Sequence, residues 1–306
     1  MRPSVKRLLF GSEDLTQQVT VGLRDPQQEI TVELHGFGPP VDVTDRHTLA
    51  CAAPCMVGIA LDAKPGTTGM LHFRERNGSH QLLGRLGLSF SESVGANVAC
   101  FAVTSAKNYC LPAPQLWARY AHWAYLRRNS PPDVPMAVID IHAMPIVFIC
   151  PRPVVVVSAA EGEVVNVFPM NLMGPLGAGQ FGFALNSSRA ASAHIKRAGR
   201  LAISTVPVDK APLVRQLGHN HKRPEGVRLN ELPFDVQPST KFGLPVPAFA
   251  LRVREMEVTD VREPGSHTFF VARIVEDEQR AAGQQFFMVH GIYQARRQQI
   301  GKMGSI

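Results

Sequence analysis

The chain has 306 residues, of which 45% are hydrophobic and 19% are charged. This composition excludes an intrinsically disordered chain and gives enough apolar material for one large domain or two ordinary ones. The formal net charge of +7 permits an anionic partner, but the basic residues are scattered and form no stripe with interleaved aromatic residues. We therefore expect a small phosphate-bearing molecule at least as readily as nucleic acid, and we predict no nucleic-acid partner.

The cysteine content favours a reduced, cytoplasmic protein. Five cysteines, an odd number, occur at irregular spacing at positions 51, 55, 100, 110 and 150. We expect buried free thiols, because a disulfide framework normally uses an even number. Cys51 and Cys55 lack the second pair that a zinc site needs, and the His-x-His of "GHNH" (218–221) lacks a third ligand, so no metal site is predicted.

The first half of the chain predicts strands. Short runs rich in Val, Ile, Leu and Phe, bounded by Gly and Pro, are typical of a mainly β protein with a few helices. In chain order these runs are "ITVELHG" (30–36), "GIAL" (58–61), "GRLGLS" (84–89) and "CFAV" (100–103). A hairpin is predicted between the second and third of them, at "MLHFRERNGSHQL".

A helix and then a domain boundary follow in the middle of the chain. Residues 113–129 predict an amphipathic helix whose stripe contains Tyr120 and Trp123, and we expect that aromatic face to pack on a sheet rather than to bind a cofactor. The segments "SPPDVP" (130–135) and "PRP" (151–153) indicate a boundary between about 130 and 150. The apolar segment 136–157 is broken by polar residues and prolines, so it predicts consecutive buried strands and no membrane span.

The second half predicts an unusual strand and a well-marked helix. The strand at 164–173 contains "NVFPMN", in which a proline and two asparagines interrupt bulky apolar residues. After the strand "QFGFAL" comes a helix that Asn186 or Ser187 can cap and that Gly199 can end. The start of this helix offers backbone N–H groups, the hydroxyls of Ser187, Ser188 and Ser192 and the guanidinium of Arg189, which together form a plausible phosphate site. A helix cap with Arg189 in water explains the same residues equally well.

Familiar catalytic motifs are missing from the sequence. "GAGQFG" (177–182) matches the G-x-G-x-x-G pattern, but its glycines precede a strand instead of opening a helix, so it predicts a flexible turn. No G-x-S-x-G elbow, Walker phosphate loop or H-E-x-x-H occurs. Nothing therefore indicates acyl transfer, nucleotide hydrolysis or zinc proteolysis.

The two halves share short strings in the same order. "ITVELHG", "GIAL", "GRLGLS" and "CFAV" in the first half match "PVVVVS" (153–158), "GFAL" (182–185), "GRLAIS" (199–204) and "AFAL" (248–251) in the second. Such matches are common by chance, so a divergent duplication and coincidence both remain open. The shared "GRLxxS" is the best single match.

The order of elements from about 150 to 295 resembles the flavin reductase-like family, the FMN-binding split barrel. The elements are "PVVVVSAAEGEVVNVFPMNLMG", "GQFGFAL", "NSSRAASAHIKRAG", "RLAISTV", "FALRVREMEVTDV", "HTFFVARIVEDE" and "FMVHGIY". The resemblance implies two split β-barrel-like domains in tandem: a degenerate one at 1–140, which lacks an "NSSR" segment, and an FMN-binding one at 145–300.

The same resemblance implies where the cofactor binds. The strand at 164–173 is expected to lie beside the isoalloxazine ring, and the loop at 186–189 to hold the FMN phosphate. His267 falls where the family often has a histidine near flavin and nicotinamide, although a solvent-facing turn residue fits it equally well. Pro169 and Asn171 replace the usual Thr and Ser of the first motif, which removes one side-chain donor. The predicted cofactor-binding residues are Pro169, Met170, Asn171, Leu172, Met173, Asn186, Ser187, Ser188, Arg189 and His267.

The implied function is an oxidoreductase that transfers hydride from NAD(P)H to FMN, in which the cofactor performs the chemistry and no catalytic residue is needed. An oxygenase is an implied recipient of the reduced flavin. The family forms homodimers, so we expect either a homodimer or an intramolecular pseudo-dimer in which the first half replaces a partner. The alternatives are a non-catalytic flavin-binding protein, for storage or sensing, and a basic interaction module without flavin.

Overall fold

The computed structural model describes residues 3–24, 29–129 and 134–301. Its helices are α1 (Pro3–Phe10), α2 (Ala113–Asn129), α3 (Val138–Val147), α4 (Ala190–Ala198), α5 (Ala211–Gln216) and α6 (Gly291–Gln299). No helix within these ranges has the length and apolarity that crossing a bilayer requires. Residues 130–133 of the predicted boundary lie outside the described residues.

The strands make the protein mainly β, as predicted. Those of the first half are β1 (Gln18–Leu23), β2 (Ile30–His35), β3 (Val41–Asp42), β4 (His47–Ala52), β5 (Cys55–Ala60), β6 (Thr68–Glu75), β7 (Leu82–Val94) and β8 (Val98–Asn108). Those of the second half are β9 (Arg152–Pro153), β10 (Val155–Glu161), β11 (Val164–Met170), β12 (Met173–Pro175), β13 (Gln180–Asn186), β14 (Arg200–Thr205), β15 (Val236–Pro238), β16 (Pro245–Pro247), β17 (Arg252–Arg262), β18 (His267–Gln279) and β19 (Gln285–His290).

Two seven-stranded antiparallel sheets have the same strand order. The first runs β3-β2-β6-β7-β8-β5-β4 and the second β11-β10-β14-β17-β18-β13-β12. Each strand of one sheet therefore has a counterpart at the same place in the other, which is the order that a duplication predicts. The strings of β2 and β5 match those of their counterparts β10 and β13. "GRLGLS" lies in β7 whereas "GRLAIS" lies in β14, the counterpart of β6, so this pairing of strings is wrong.

The two sheets pack through counterpart strands. A buried cluster joins Met56 and Cys100 of the first sheet to Ala184 and Phe269 of the second. Gly58 and Gly182, the first residues of "GIAL" and "GFAL", allow the two sheets to approach this closely. A Cβ atom at position 58 would lie 2.9 Å from the Phe269 ring, and a Cβ atom at position 182 would lie 2.7 Å from a methyl group of Thr48. The two sheets therefore meet within one chain, and β4 of the first sheet contacts β12, β13 and β18 of the second. All five cysteines are buried and unpaired, as expected.

The end of the chain returns to the first half. Strand β19 lies between β1 and β9 in a three-stranded sheet, and α6 packs into the core of the first sheet. The Tyr293 hydroxyl of α6 donates to Glu29 at 2.8 Å, and Arg296 contacts Glu75 at 3.1 Å. Helices α3 and α6 both pack in the core of the first sheet, so the last helix of the chain lies with the first half.

The prediction of consecutive strands over 136–157 is wrong at its start, where Val138–Val147 forms α3. Asp140 explains the helix: its carboxylate accepts from the Ala137 N–H at 2.9 Å, at the helix start, and from the Cys55 N–H at 2.7 Å. The buried face of α3 packs on the first sheet. The strands that were expected begin only at Arg152.

Helix α2 has the predicted bounds. Trp123 is buried against the His290 ring, with centroids 4.9 Å apart, and Tyr120 contacts His142 of α3. The helix lies mainly against α1, and its buried Arg119 donates to the Phe10 carbonyl at 2.6 Å. Trp123 and Tyr120 therefore belong to the core of the first sheet, as expected of the aromatic face, and they reach it between α3 and the end of β19.

Candidate functional site

The segment predicted as one strand over 164–173 is divided between two strands. Strand β11 ends at Met170 at one edge of the second sheet, and β12 begins at Met173 at the opposite edge. Asn171 and Leu172 join them and so connect the two edges of the curled sheet. Pro169 lacks an N–H and lies in the edge strand, where a missing donor is tolerated. The prediction of a continuous strand is therefore wrong, although the predicted residues remain together.

The second predicted segment runs directly beside the first. Ala184 of β13 donates its N–H to the Leu172 carbonyl at 2.8 Å, and Met173 pairs with Phe183. Leu172 is half-buried and packs against apolar clusters that include residues of the first sheet. The Asn171 amide points toward β19, where its nitrogen lies 3.5 Å from the Met288 sulfur. Of the predicted ring-binding residues, Leu172 and Met173 thus lie beside β13.

The turn between β13 and α4 is organised by Asn186. Its side-chain oxygen accepts from the backbone N–H of Ser188 at 2.9 Å and from the Ser188 hydroxyl at 2.8 Å. Arg189 donates its N–H to the Asn186 carbonyl at 3.0 Å and precedes the first helical residue. The prediction that Asn186 or Ser187 is the N-cap of this helix is therefore wrong. Arg189 is the N-cap residue, and Asn186 instead bonds Ser188 in the turn before it. Gly199 ends α4 with φ +64°, as expected.

The hydroxyls at this turn face in two directions. Ser187 and Ser188 are exposed, whereas Ser192 of α4 is buried and is not available to a ligand. The Ser187 hydroxyl lies 3.1 Å from the Thr268 hydroxyl. The backbone N–H of Ser187 donates to the Ser266 carbonyl at 3.1 Å. Because a hydroxyl both donates and accepts, Ser187 keeps capacity for a further partner.

His267 lies at the start of β18, directly opposite Asn186 in the sheet. It is only 7% exposed, so the alternative of a solvent-facing turn residue is wrong. Its Nδ1 lies 2.8 Å from the Ser266 hydroxyl. Burial lowers the pKa of His267 to about 4, and the imidazole is therefore neutral at physiological pH. The fold thus brings all three predicted segments to neighbouring strands.

The first half of the chain reaches this place, which sequence reasoning missed. The Ala53 N–H donates to the Ser266 hydroxyl at 3.1 Å, and the Ser266 N–H donates to the Ala53 carbonyl at 2.9 Å. The Cys51 thiol lies 3.5 Å from the same hydroxyl. Ser266 therefore connects the turn between β4 and β5 to His267. No motif in the sequence marks these residues, because the contact joins positions more than 200 residues apart.

Comparison with known proteins identifies the second half. The model of the family described as "Flavin reductase like domain" matches residues 148–298. A comparison with curated proteins finds no match.

Solved structures that resemble part of the chain include an FMN-binding protein from Thermus thermophilus with bound p-hydroxybenzaldehyde (26% identity, TM-score 0.38, covering 42% of this chain and 73% of that one). An NADH:FAD oxidoreductase from Streptomyces globisporus has 17% identity and a TM-score of 0.43, covering 52% of this chain and 93% of that one. The styrene monooxygenase flavin reductase from Pseudomonas putida has 18% identity and a TM-score of 0.37, covering 45% and 87%. The family match shows that residues 148–298 of this chain are a flavin reductase like domain.

Proposed function

We propose that the protein is an oxidoreductase that binds FMN and reduces it with NAD(P)H. The observation that supports this most is the convergence of residues 169–173, 186–189 and His267 inside the region that matches the family. The resemblance to the family implies that these residues bind the cofactor, and nothing local requires three separate segments to meet.

The phosphate end has the donors that an anion needs. Ser187 and Ser188 are exposed at the start of a nine-residue helix, whose first N–H groups have no partner within the helix. Arg189 adds a guanidinium, which can bond two phosphate oxygens at once. The N–H and hydroxyl of Ser188 already bond Asn186, so we assign phosphate binding first to Ser187, Arg189 and the helix start.

The ring end fits a flat molecule with one polar edge. Leu172 and Met170 supply apolar contact, and Asn171 supplies an amide whose present bond to a thioether sulfur is weak and easily exchanged. His267 is neutral and can give or accept one hydrogen bond without adding charge near the flavin. The residues present therefore fit FMN, with Pro169 contributing shape and no donor.

Bound flavin would supply the two-electron chemistry by taking hydride from a nicotinamide. The protein's part is to hold the two rings face to face and to place donors toward the pyrimidine edge, where negative charge grows on reduction. No acid, base or nucleophile of this chain is required. A partner oxygenase is the class of acceptor that we propose for the reduced flavin.

We also propose that the first half takes the place of a second subunit. Its strands β4, β5 and β8 cover the counterpart strands of the second sheet, and Ala53 contacts Ser266 beside His267. A single chain would then form a complete site as an intramolecular pseudo-dimer, in which the first half binds no flavin of its own.

The test combines a flavin titration with reduction. Purified protein is titrated with FMN by fluorescence quenching, alongside Arg189→Ala and a matched control, Arg197→Ala, at the other end of α4. Arg189→Ala should weaken binding by about 1–3 kcal/mol, the scale of a charge-assisted hydrogen bond, while the control binds like the wild type. Equal affinities for all three proteins would remove Arg189 from the site.

Reduction separates the enzyme from a non-catalytic binder. Under anaerobic conditions, NADH or NADPH should bleach the absorbance of the bound flavin between 350 and 500 nm within seconds. A protein that binds FMN and stays yellow would be a storage or sensing protein. A protein that binds no FMN would contradict the proposal entirely.

A further inference from the structure

A separate cavity of about 410 Å³ opens at one mouth of the second sheet's barrel. Its walls are the inner faces of β10, β13 and β14, together with β9 and the loop before β4 in the first half. Of the residues predicted to bind flavin it contains only Met173, and it does not include Ser187, Arg189 or His267. Its size is that of a small-molecule site.

Arg152 lines this cavity and is only 3% exposed. One of its terminal nitrogens donates to His47 Nε2 at 3.2 Å and to the Val147 carbonyl at 3.5 Å. His47 is able to accept because its Nδ1 donates to the Val43 carbonyl at 2.8 Å and because burial and Arg152 lower its pKa to about 3. The partners of the guanidinium are therefore neutral groups.

The charge of Arg152 has no counterion in the described part of the chain. No carboxylate there lies within ion-pair distance, and its Nε is buried without a hydrogen-bond partner. Burying a guanidinium in this way is unfavourable, because desolvation is not repaid by an opposite charge. Native proteins normally avoid such a group unless a ligand completes it.

The other charged residues that line the cavity do not balance the positive charge of Arg152. Arg252 and Arg254 both contact Asp277, at 2.6 and 3.3 Å, and Asp45 also lines the cavity. Three guanidinium groups, including that of Arg152, and two carboxylates leave a net charge of 3 − 2 = +1. One negative charge on a ligand would balance the cavity.

The walls indicate what accompanies that charge. Val155, Phe181, Ile203 and Ile274 provide apolar surface around the cavity. The side-chain oxygen of Gln180 is buried without a partner, so it can accept a hydrogen bond from a ligand hydroxyl. An apolar body with an anionic group and one hydroxyl would satisfy all three features.

We propose that this cavity binds a small monoanionic carboxylate with an apolar body, whose carboxylate pairs with Arg152. The site is independent of the flavin site proposed above and shares only Met173 with it. A carboxylate can accept two parallel hydrogen bonds from a guanidinium, and its single negative charge balances the net charge of +1 in the cavity.

The test uses 6-hydroxy-2-naphthoate and its uncharged analogue 6-(hydroxymethyl)-2-naphthol, both titrated calorimetrically into the full-length protein. The acid should bind at least about tenfold more tightly than the alcohol, and Arg152→Gln should remove most of that difference. Arg189→Ala and saturating FMN should leave the affinity for the acid unchanged. Binding of acid and alcohol with equal affinity, or displacement of the acid by FMN, would overturn the proposal.

A second variant protects the test against misfolding of Arg152→Gln. Ile203→Trp fills the cavity from its apolar wall without replacing a charged residue, and it should abolish binding of the acid while the circular dichroism spectrum stays native. Retained affinity in this variant would place the acid elsewhere on the protein and refute the site.

Discussion

Stability toward acid should depend strongly on His290, and its replacement by Asn tests this. His290 is 7% exposed, and its Nδ1 accepts from the Ile292 N–H at 3.2 Å, which caps α6. Burial, together with the nearby Arg119, lowers its pKa to about 3. Asn keeps the capping acceptor, since it is among the best residues at this position, and removes the titrating group.

The magnitude follows from the difference between the folded and unfolded pKa values. In the unfolded chain His290 takes up a proton near pH 6.5, whereas the folded protein resists protonation down to about pH 3. Stability from this group is therefore present above pH 6.5 and is lost as the pH falls. Between pH 7 and pH 5 the loss is about 2 kcal/mol for one such histidine. His47, whose pKa is also about 3, should lose a similar amount.

The assay is urea unfolding followed by far-ultraviolet circular dichroism at pH 7 and pH 5. The wild type should lose about 6 kcal/mol of unfolding free energy from His47, His267 and His290 together, since the pKa of His267 is also lowered, to about 4. The loss in His290→Asn should be about 2 kcal/mol smaller. The exposed His219→Asn is the control and should match the wild type. Carboxylates with a lowered pKa contribute little to the change in unfolding free energy between pH 7 and pH 5. Their stabilising effect is lost mainly as the pH falls through their unfolded pKa values, near pH 4. An equal loss in His290→Asn and the wild type would refute the reasoning.

Two further predictions concern the contact between the halves. Phe269→Ala removes a fully buried ring between Gly58 and Gly182 and should lower the free energy of unfolding by about 3–5 kcal/mol, measured by urea unfolding. Trp117→Ala, on a side chain that is 74% exposed, should change it by less than about 0.5 kcal/mol, and similar losses in both would contradict the buried contact. Removing residues 1–130 should expose apolar barrel surface and cause aggregation; a monodisperse, FMN-loaded fragment 145–306 by size-exclusion chromatography would show that the first half is dispensable.

Much of the second half could be predicted because its signals are local. Strand β13, helix α4 and Gly199 follow from an apolar run, a cluster of small polar residues and a left-handed glycine. Helix α3 could not be predicted in the same way. Its Val and Ile residues favour strands and its Pro145 disfavours a helix interior. The Asp140 carboxylate that holds its start bonds Cys55, 85 residues away.

The relation between the halves was only partly visible in the sequence. The paired "GIAL" and "GFAL" strings mark counterpart strands because both glycines are needed where the sheets meet closely. "GRLxxS" matched by chance, since apolar alternation recurs in many strands of one protein. The contribution of Ala53 and Cys51 beside His267 depends on how the two sheets pack, which no local pattern records.

The most direct measurement of the central claim is a crystal structure of the protein grown with FMN. We expect the phosphate within hydrogen-bond distance of Ser187 and Arg189 and the ring beside Asn171, with His267 within contact distance of its edge. FMN bound instead in the cavity beside Arg152, or absent from the groove between Asn171 and Ser187, would contradict the proposed function.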